Sequence, residues 1–155
     1  MGLRPLPLLG GCLCGAVRYE VRGVPLLVTA CHCRDCQKRT SSAYSMNMPT
    51  RERHFAFVSG TPREVVRETP SGSVTTHLYC DACMSRLASL PQKTPGIVSV
   101  RPGTLDDTSW LVPTLHIFVR SATKGAVPDG ATAFETDPPD FIPFAAAFAK
   151  VWSVA

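Results

Sequence analysis

The sequence predicts a mainly β fold of short strands joined by many turns, followed by one short C-terminal helix. The 155 residues include 14 prolines and 11 glycines, and both residue types interrupt long helices. Apolar and charged side chains alternate over residues 17–22, which is the period of a strand with one buried face. Aromatic side chains recur at three-and-four spacing near the C-terminus, which is the period of an amphipathic helix.

The clearest strand places Val17, Tyr19 and Val21 on one face and charged residues on the other. Further strands are predicted for short apolar runs that are mostly bounded by Gly, Pro, Ser or Asp. These runs are Leu26 to Ala30, Ala43 to Met48, Phe55 to Val58, Glu64 to Arg67, Val74 to Tyr79, Ile97 to Val100 and Leu115 to Val119.

The segment after Pro138 and Pro139 predicts a helix over about residues 140–155. Asp140 is the expected N-cap, and Pro143 falls in the first turn, where its missing N–H does little harm. We expect the apolar stripe of this helix to pack back on the sheet, with a homodimer contact as the alternative. The stripe consists of Phe141, Phe144, Ala145, Phe148 and Trp152.

The composition indicates one globular domain. Hydrophobic residues make up 45% of the chain and charged residues 18%, unlike a disordered protein. We predict a single domain over residues 1–155, with a core at about 10–136 and a helical extension at about 140–155. No apolar stretch approaches the ~20 residues of a membrane span, and no secretory signal is recognisable. The expected location is the cytoplasm.

The seven cysteines are the most informative residues. An odd number without an export signal argues against a disulfide framework and favours reduced thiols that hold a metal. Their close spacing lets neighbouring thiolates converge on one tetrahedral ion. The motifs are C-x-C at Cys12 and Cys14, C-x-C-x-x-C at Cys31, Cys33 and Cys36, and C-x-x-C at Cys80 and Cys83.

Seven sulfurs cannot fill two closed four-cysteine sites, so four plus three is the natural division. We predict that the two short pairs form a closed structural zinc site and that Cys31, Cys33 and Cys36 form an open one on a single loop. His32 could complete the open site, but a residue between two ligands usually points away from the metal, so we prefer it as an outer or substrate contact. An iron–sulfur cluster is the alternative, although the spacing matches neither common ferredoxin pattern.

An open, sulfur-rich centre predicts thiol chemistry. Three thiolates weaken a divalent ion as a Lewis acid, whereas its free position accepts another soft sulfur ligand. A substrate thiol would be held there as a thiolate, which is the form that acts as nucleophile or leaving group. We therefore expect a low-molecular-weight thiol as substrate.

The formal net charge of +4 does not indicate a nucleic-acid partner. Seven thiolates on two divalent ions would lower it to about +1. The sequence also has no block of Lys and Arg with interleaved aromatic residues.

The cysteine motifs and their flanks resemble a known family. The segments GGCLCGAVRYEV, CHCRDCQKRTSSAY, YCDAC, GTLDD and LHIF are similar to the glutathione-dependent formaldehyde-activating family, which also includes centromere protein V. The resemblance runs from about Gly10 to Phe134 and gives every cysteine a place. It implies a β-tent of stacked short antiparallel sheets with two zinc ions. By resemblance, the structural ligands are Cys12, Cys14, Cys80 and Cys83, and the catalytic ligands are Cys31, Cys33 and Cys36.

The resemblance also implies a carbon–sulfur lyase that forms or cleaves S-hydroxymethylglutathione, the adduct of glutathione and formaldehyde. Two alternatives stay open: a zinc hydrolase of a small adduct, and a non-catalytic two-zinc binding or scaffold module. Three residues near the expected pocket depart from the family pattern. Gln37 stands where the family commonly has Arg, and Ser41 and Met84 stand where it commonly has Gly.

Further site residues are predicted around the open-site loop. Arg34, Lys38 and Arg39 border it and could pair with the carboxylates of a glutathione-like substrate, with solvation as the simpler alternative. His32 and His116 are the acid–base candidates, because histidine titrates near neutral pH and suits proton transfer to a hemithioacetal oxygen.

Other polar residues receive a structural interpretation. Asp106 and Asp107 in GTLDD are typical of a turn whose side chains bond their own backbone, with a general-base role as the alternative. His54 and His77 have no sequence context that points to a site.

Overall fold

The computed structural model describes residues 5–69 and 72–154. Its strands in chain order are β1 (Leu8–Gly11), β2 (Arg18–Val21), β3 (Thr29–Cys31), β4 (Ser45–Arg51), β5 (Phe55–Ser59), β6 (Arg63–Glu68), β7 (Val74–Tyr79), β8 (Arg86–Pro91), β9 (Ile97–Val100), β10 (Leu115–Ile117) and β11 (Ala133–Phe134). The helices are α1 (Arg34–Thr40) and α2 (Ile142–Val154), and short 3-10 turns cover Glu52–His54, Pro102–Thr104 and Val119–Ser121.

Within the described ranges the strands form two sheets. The smaller has the order β1-β2-β5, and the larger has the order β11-β10-β3-β4-β9-β8-β7-β6. Neighbouring strands pair antiparallel, except that β10 pairs parallel with both β3 and β11. The predicted mainly β fold with a C-terminal helix is confirmed.

Local patterns predicted some elements better than others. The strands predicted over Val74–Tyr79 and Ile97–Val100 match β7 and β9 residue for residue. Strands β1, β8 and β11 were not predicted, because β1 ends in two glycines, β8 contains Ala, Ser and Pro, and β11 has two residues. The expected open-site loop is wrong in part, since residues 34–40 of it form α1.

The core lies where side chains of the smaller sheet meet those of the larger one. Tyr19 of β2 is fully buried, its ring packs 5.4 Å from that of Phe55, and its hydroxyl lies 2.8 Å from Thr104 Oγ1. Gly10 of β1 leaves room for this ring, because a Cβ there would lie 2.5 Å from the Tyr19 hydroxyl. Full burial of such apolar side chains stabilises the fold by about 1.5–3 kcal/mol each.

Helix α2 packs back on the fold, as the aromatic stripe predicts. Phe148 and Trp152 are only 8% and 5% exposed, and the Trp152 ring meets Trp110 edge to face at 5.4 Å. Asp140 Oδ1 accepts a 2.8 Å hydrogen bond from the Ile142 N–H, which satisfies one free donor at the start of the helix. The helix is therefore part of the core of this chain.

Candidate metal centres and adjoining cavity

The first cysteine cluster joins two distant turns. Cys12 and Cys14 lie in the turn after β1, and Cys80 and Cys83 lie in the turn between β7 and β8. The four Sγ atoms lie within 4.8 Å of one another. Four soft donors at this separation fit a closed tetrahedral zinc site. The cluster thus contains the two short cysteine pairs that the sequence predicts to form one site.

The backbone of both turns supports this arrangement. Gly15 adopts a φ of +78° within the first turn, and its N–H donates to the Cys12 carbonyl at 3.1 Å. Met84 adopts a φ of +59°, and its N–H donates to the Cys80 carbonyl at 2.9 Å. Ser85 links the turns, since its Oγ accepts from the Leu13 N–H at 3.1 Å and lies 3.2 Å from Cys83 Sγ. Glycine adopts this left-handed backbone without steric cost, which explains why it suits the position that Met84 occupies here.

The second cysteine cluster lies at the junction between β3 and α1. Cys31 ends β3, Cys33 is the N-cap of α1, and Cys36 follows in the first turn of the helix. Their three Sγ atoms lie within 4.8 Å of one another, and no histidine or carboxylate from the described residues joins this group. Three thiolates fit a zinc ion that keeps one position for another ligand.

The start of α1 favours thiolate character at the N-cap. Hydrogen bonds from the Cys31 and Cys36 thiols lower the pKa of Cys33 well below its usual range, and the Cys36 and Asp35 backbone N–H groups act in the same direction. The Cys36 N–H donates to Cys33 Sγ at 3.4 Å. An anionic sulfur at a helix N-terminus is also favoured by the helix dipole.

Two histidines form a buried pair beside this cluster. His32 Nε2 lies 2.9 Å from His116 Nδ1, and the rings stack at 5.2 Å. Their exposed fractions are 0% and 4%, and burial lowers the pKa of both. The ring of Tyr44 packs 5.1 Å from that of His32. The parallel pairing of β3 with β10 places Ala30 opposite His116 and so brings the two histidines together.

A cavity of about 410 Å³ adjoins the three-cysteine cluster. Thr40, which lines it, donates from Oγ1 to the Cys36 carbonyl at 2.8 Å, and Ser45, also in the lining, pairs with Cys31 between β3 and β4. The lining contains no Asp or Glu, and it includes three arginines, Arg39, Arg86 and Arg101. The cavity is therefore cationic and close to the open cluster.

Neutral side chains hold two of the arginines in place. Arg101 donates to Ser45 Oγ at 2.9 Å, to Ser89 Oγ at 3.0 Å and also to the amide oxygen of Asn47. Buried His77 contacts Arg39 through Nε2 and Ser89 through Nδ1. A chain of hydrogen bonds thus connects α1, β7, β8 and the end of β9.

The sequence model described as glutathione-dependent formaldehyde-activating enzyme matches residues 7–121. The chain belongs to this family. A crystal structure of a Rhodobacter sphaeroides protein shares the fold at 21% identity and a TM-score of 0.50, covering 64% of this chain and 88% of that one.

Membership of the glutathione-dependent formaldehyde-activating family confirms the resemblance that the cysteine motifs indicate. At the level of the family, the activity is glutathione-dependent formaldehyde activation. The match includes both cysteine clusters and every residue that lines the cavity, whereas β11 and α2 lie beyond it. Among the described residues, no helix combines the length and hydropathy that a bilayer span requires.

The predicted substrate-binding cations occupy different places. Arg39 lines the cavity, whereas Arg34 and Lys38 are exposed and are not among the lining residues. The guanidinium of Arg34 donates to Gln37, whose amide in turn donates to the His32 carbonyl at 2.6 Å and to the Ser121 carbonyl at 2.7 Å. Through these hydrogen bonds, Gln37 holds the start of α1 in position.

Sequence reasoning missed Arg86, Arg101 and His77. The two arginines follow no motif, and only the antiparallel register of β8 with β9 brings them to one cavity. His77 lies within a predicted strand that carries no site motif, so nothing in the sequence indicates its contact with Arg39. The GTLDD turn follows the prediction only in part. Asp107 bonds to the nearby backbone as predicted, since its Oδ1 accepts from the Ser109 N–H at 2.9 Å. Asp106 instead forms an ion pair with Arg18.

Proposed function

We propose that the protein is a zinc-dependent carbon–sulfur lyase acting on a thiol adduct, with S-hydroxymethylglutathione as the reference substrate. The observation that carries this proposal is the three-cysteine cluster beside the 410 Å³ cavity. A three-sulfur site leaves a ligand position, and the cavity gives a small molecule access to that neighbourhood. The family description supports glutathione and formaldehyde as the reactants.

The two clusters would have different tasks. Cys12, Cys14, Cys80 and Cys83 would hold a structural zinc ion that ties the two turns together. Cys31, Cys33 and Cys36 would hold the second zinc ion, which lowers the pKa of a bound thiol and so favours the thiolate. Reduced thiols fit the cytoplasm, which we keep as the proposed location.

The reaction needs a sulfur nucleophile and one proton. In the forming direction, the substrate thiolate adds to the formaldehyde carbon, so that the C–S bond forms while the C=O π electron pair moves to oxygen, which then takes a proton. In the cleaving direction, the hydroxyl loses that proton and the C–S electron pair returns to sulfur. We propose the His32–His116 pair for the proton transfer, with Tyr44 packed against both rings at the cavity wall.

Cations on α1 would bind the substrate's carboxylates. Arg39 lines the cavity, and we propose it as the direct contact. Arg34 and Lys38 lie on the exposed side of the same helix and would act at longer range.

The experiment compares Cys33→Ser with Cys83→Ser, one from each cluster. A serine at position 33 can still cap α1, so the fold should survive while one zinc ligand is lost. We expect Cys33→Ser to lose one metal ion and to lower turnover of S-hydroxymethylglutathione by about 100-fold or more. Cys83→Ser should mainly lower the melting temperature.

Metal content, turnover and melting temperature of the purified protein separate the alternatives. Full turnover by Cys33→Ser would overturn the lyase proposal at this cluster. Loss of stability in both variants, with no turnover of any thiol adduct by the wild type, would favour the scaffold module. Hydrolysis of adducts that lack a thiol product would favour the zinc hydrolase.

A further inference from the structure

Met84 combines a left-handed backbone with an exposed side chain. In residues 5–69 and 72–154, the non-glycine residues with a positive φ are Ser41, Met84 and Phe118, and a Cβ makes this conformation unfavourable. Ser41 caps the end of α1, and Phe118 packs against the core. The side chain of Met84 is 57% exposed, so its burial within the protein does not compensate for the strained backbone.

The turn that contains Met84 requires this backbone conformation but not a methionine. The Met84 N–H donates to the Cys80 carbonyl at 2.9 Å and closes the turn around Cys83. Glycine would make the same hydrogen bond without strain. A strained residue whose side chain the fold does not need points to a functional role.

Met84 lines the cavity that adjoins the three-cysteine cluster. Arg86, on the adjoining strand β8, lies with Nη2 3.4 Å from Ser45 Oγ at the start of β4. Ser45 in turn pairs with Cys31 between β4 and β3. The turn that carries Met84 therefore lies beside the part of the cavity wall that is next to the cluster.

The exposed thioether chain is suited to contact with an apolar group. Methionine is unbranched and polarisable, so it adapts its shape to the group that it meets. Such a flexible, half-exposed chain yields to a bulky ligand rather than excluding it. An apolar group that covers Met84 removes apolar surface of both partners from water, which favours binding.

We propose that Met84 is a specificity-determining residue that contacts an apolar chain attached to the substrate's sulfur, so that the substrate class is the adduct of a thiol with an aldehyde larger than formaldehyde. This inference rests on the proposed function, because the substrate's sulfur is taken to face the three-cysteine cluster. The chemistry is unchanged: the same C–S bond forms or breaks, and the apolar chain replaces one hydrogen on the carbonyl carbon.

The test measures by calorimetry how tightly the zinc-loaded protein binds two S-alkyl derivatives of glutathione. S-hexylglutathione and S-methylglutathione share the peptide and the thioether sulfur that the adduct also has, and they differ only in the apolar chain. We expect the wild type to prefer the hexyl derivative. This preference should fall about fivefold to tenfold in Met84→Gly, the scale of covering the exposed half of a methionine side chain.

Two further variants separate the apolar contact from the backbone. Met84→Gln keeps the length and the Cβ but ends in an amide, so it should lose the preference as well. Ser41→Gly is the matched control, because it also places glycine at a left-handed position, but one outside the cavity lining. It should keep the wild-type preference. The metal content of each variant checks that the neighbouring cysteine cluster is intact.

Turnover tests the substrate class directly. We expect the wild type to have a higher kcat/KM for the glutathione adduct of hexanal than for that of formaldehyde, and Met84→Gly to lose this difference. The reverse order in the wild type would overturn the assignment of a larger aldehyde.

The binding data can also overturn the contact. It fails if both Met84 variants keep the wild-type preference, or if Ser41→Gly loses as much of it as they do. Tighter binding of S-hexylglutathione by Met84→Gly would mean that Met84 excludes the chain, and would equally overturn the proposal. If the wild type binds both derivatives without preference, this inference alone fails. If it binds neither and turns over no adduct, the proposed function fails with it.

Discussion

His77 on β7 holds Arg39 on α1 through a 2.7 Å contact between Nε2 and Nη1. Since the guanidinium can only donate, Nε2 accepts, and Nδ1 carries the ring proton toward Ser89 Oγ at 2.8 Å. The imidazole is therefore neutral. Protonation of Nε2 would replace a hydrogen bond with the contact of two cations, so this pair makes the cavity wall sensitive to acid.

We predict that His77 makes the protein less stable as pH falls. Burial, the largest cause, and the positive charges of Arg39, Arg86, Arg101 and Arg67 together lower the pKa of His77 to about 3. In the unfolded chain a histidine titrates near pH 6.5. Between about pH 6.5 and 3 the unfolded chain binds more protons, so the free energy of unfolding falls by at most about 1.4 kcal/mol per pH unit.

Urea unfolding of the wild type and His77→Gln between about pH 6.5 and 5 checks this prediction. Glutamine offers one acceptor and one donor but does not titrate, so the variant should have the shallower dependence on pH. Parallel curves for the two proteins would contradict the assignment of the slope to His77.

Ser41→Gly should stabilise the protein. Ser41 ends α1 with a φ of 50° and a ψ of 37°, a left-handed conformation that costs a non-glycine residue about 1–2 kcal/mol. Part of that gain is offset by the greater freedom of glycine in the unfolded chain. We expect a gain of about 0.5–1 kcal/mol and a melting temperature a few degrees higher.

Thermal unfolding of Ser41→Gly and Ser41→Ala separates backbone strain from side-chain loss. Alanine removes the hydroxyl but keeps the Cβ, so Ser41→Ala should not gain stability. A gain in Ser41→Ala equal to that in Ser41→Gly would mean that the hydroxyl, and not the left-handed backbone, is unfavourable.

Trp152→Ala should cost about 3–5 kcal/mol, because Trp152 is buried against Trp110 and Phe148. Val151→Ala is the control on the same helix, since Val151 is 64% exposed and should change stability by less than about 0.5 kcal/mol. Chemical denaturation at two protein concentrations measures both. A large effect of Val151→Ala, together with a denaturation midpoint that falls on dilution, would instead favour α2 as a homodimer contact.

Zinc removal should occur in two steps. The three-cysteine cluster offers three ligands and lies beside a cavity, so a chelator should remove a zinc ion bound there first. The four-cysteine cluster joins two turns, and its loss should lower the melting temperature. A chromophoric chelator with parallel thermal scans measures the order, and release of both ions in a single step would contradict the division into closed and open sites.

The sequence predicts the cysteine clusters well because close spacing nearly determines which sulfurs are neighbours. Cys31, Cys33 and Cys36 lie close together in the sequence and form one cluster. The remaining four cysteines, which are the two short pairs, form the other cluster. Short apolar runs, mostly bounded by turn residues, likewise predict β7 and β9. The wall of the cavity is different, because Arg39, Arg86 and Arg101 meet only through strand order and register. No local pattern encodes these long-range pairings, so the cationic cavity could be found only in the folded chain.

The four-cysteine cluster also sets an order of events during synthesis. Cys14 and Cys80, whose sulfurs are 3.7 Å apart, are separated by 66 positions. Closing so long a loop costs chain entropy that grows with the logarithm of its length. As the chain emerges from the ribosome, the turn after β1 offers only two of the four cysteine ligands. The other two become available only when the turn before β8 has been synthesised. The smaller sheet therefore gains this anchor only after Cys83 has been synthesised.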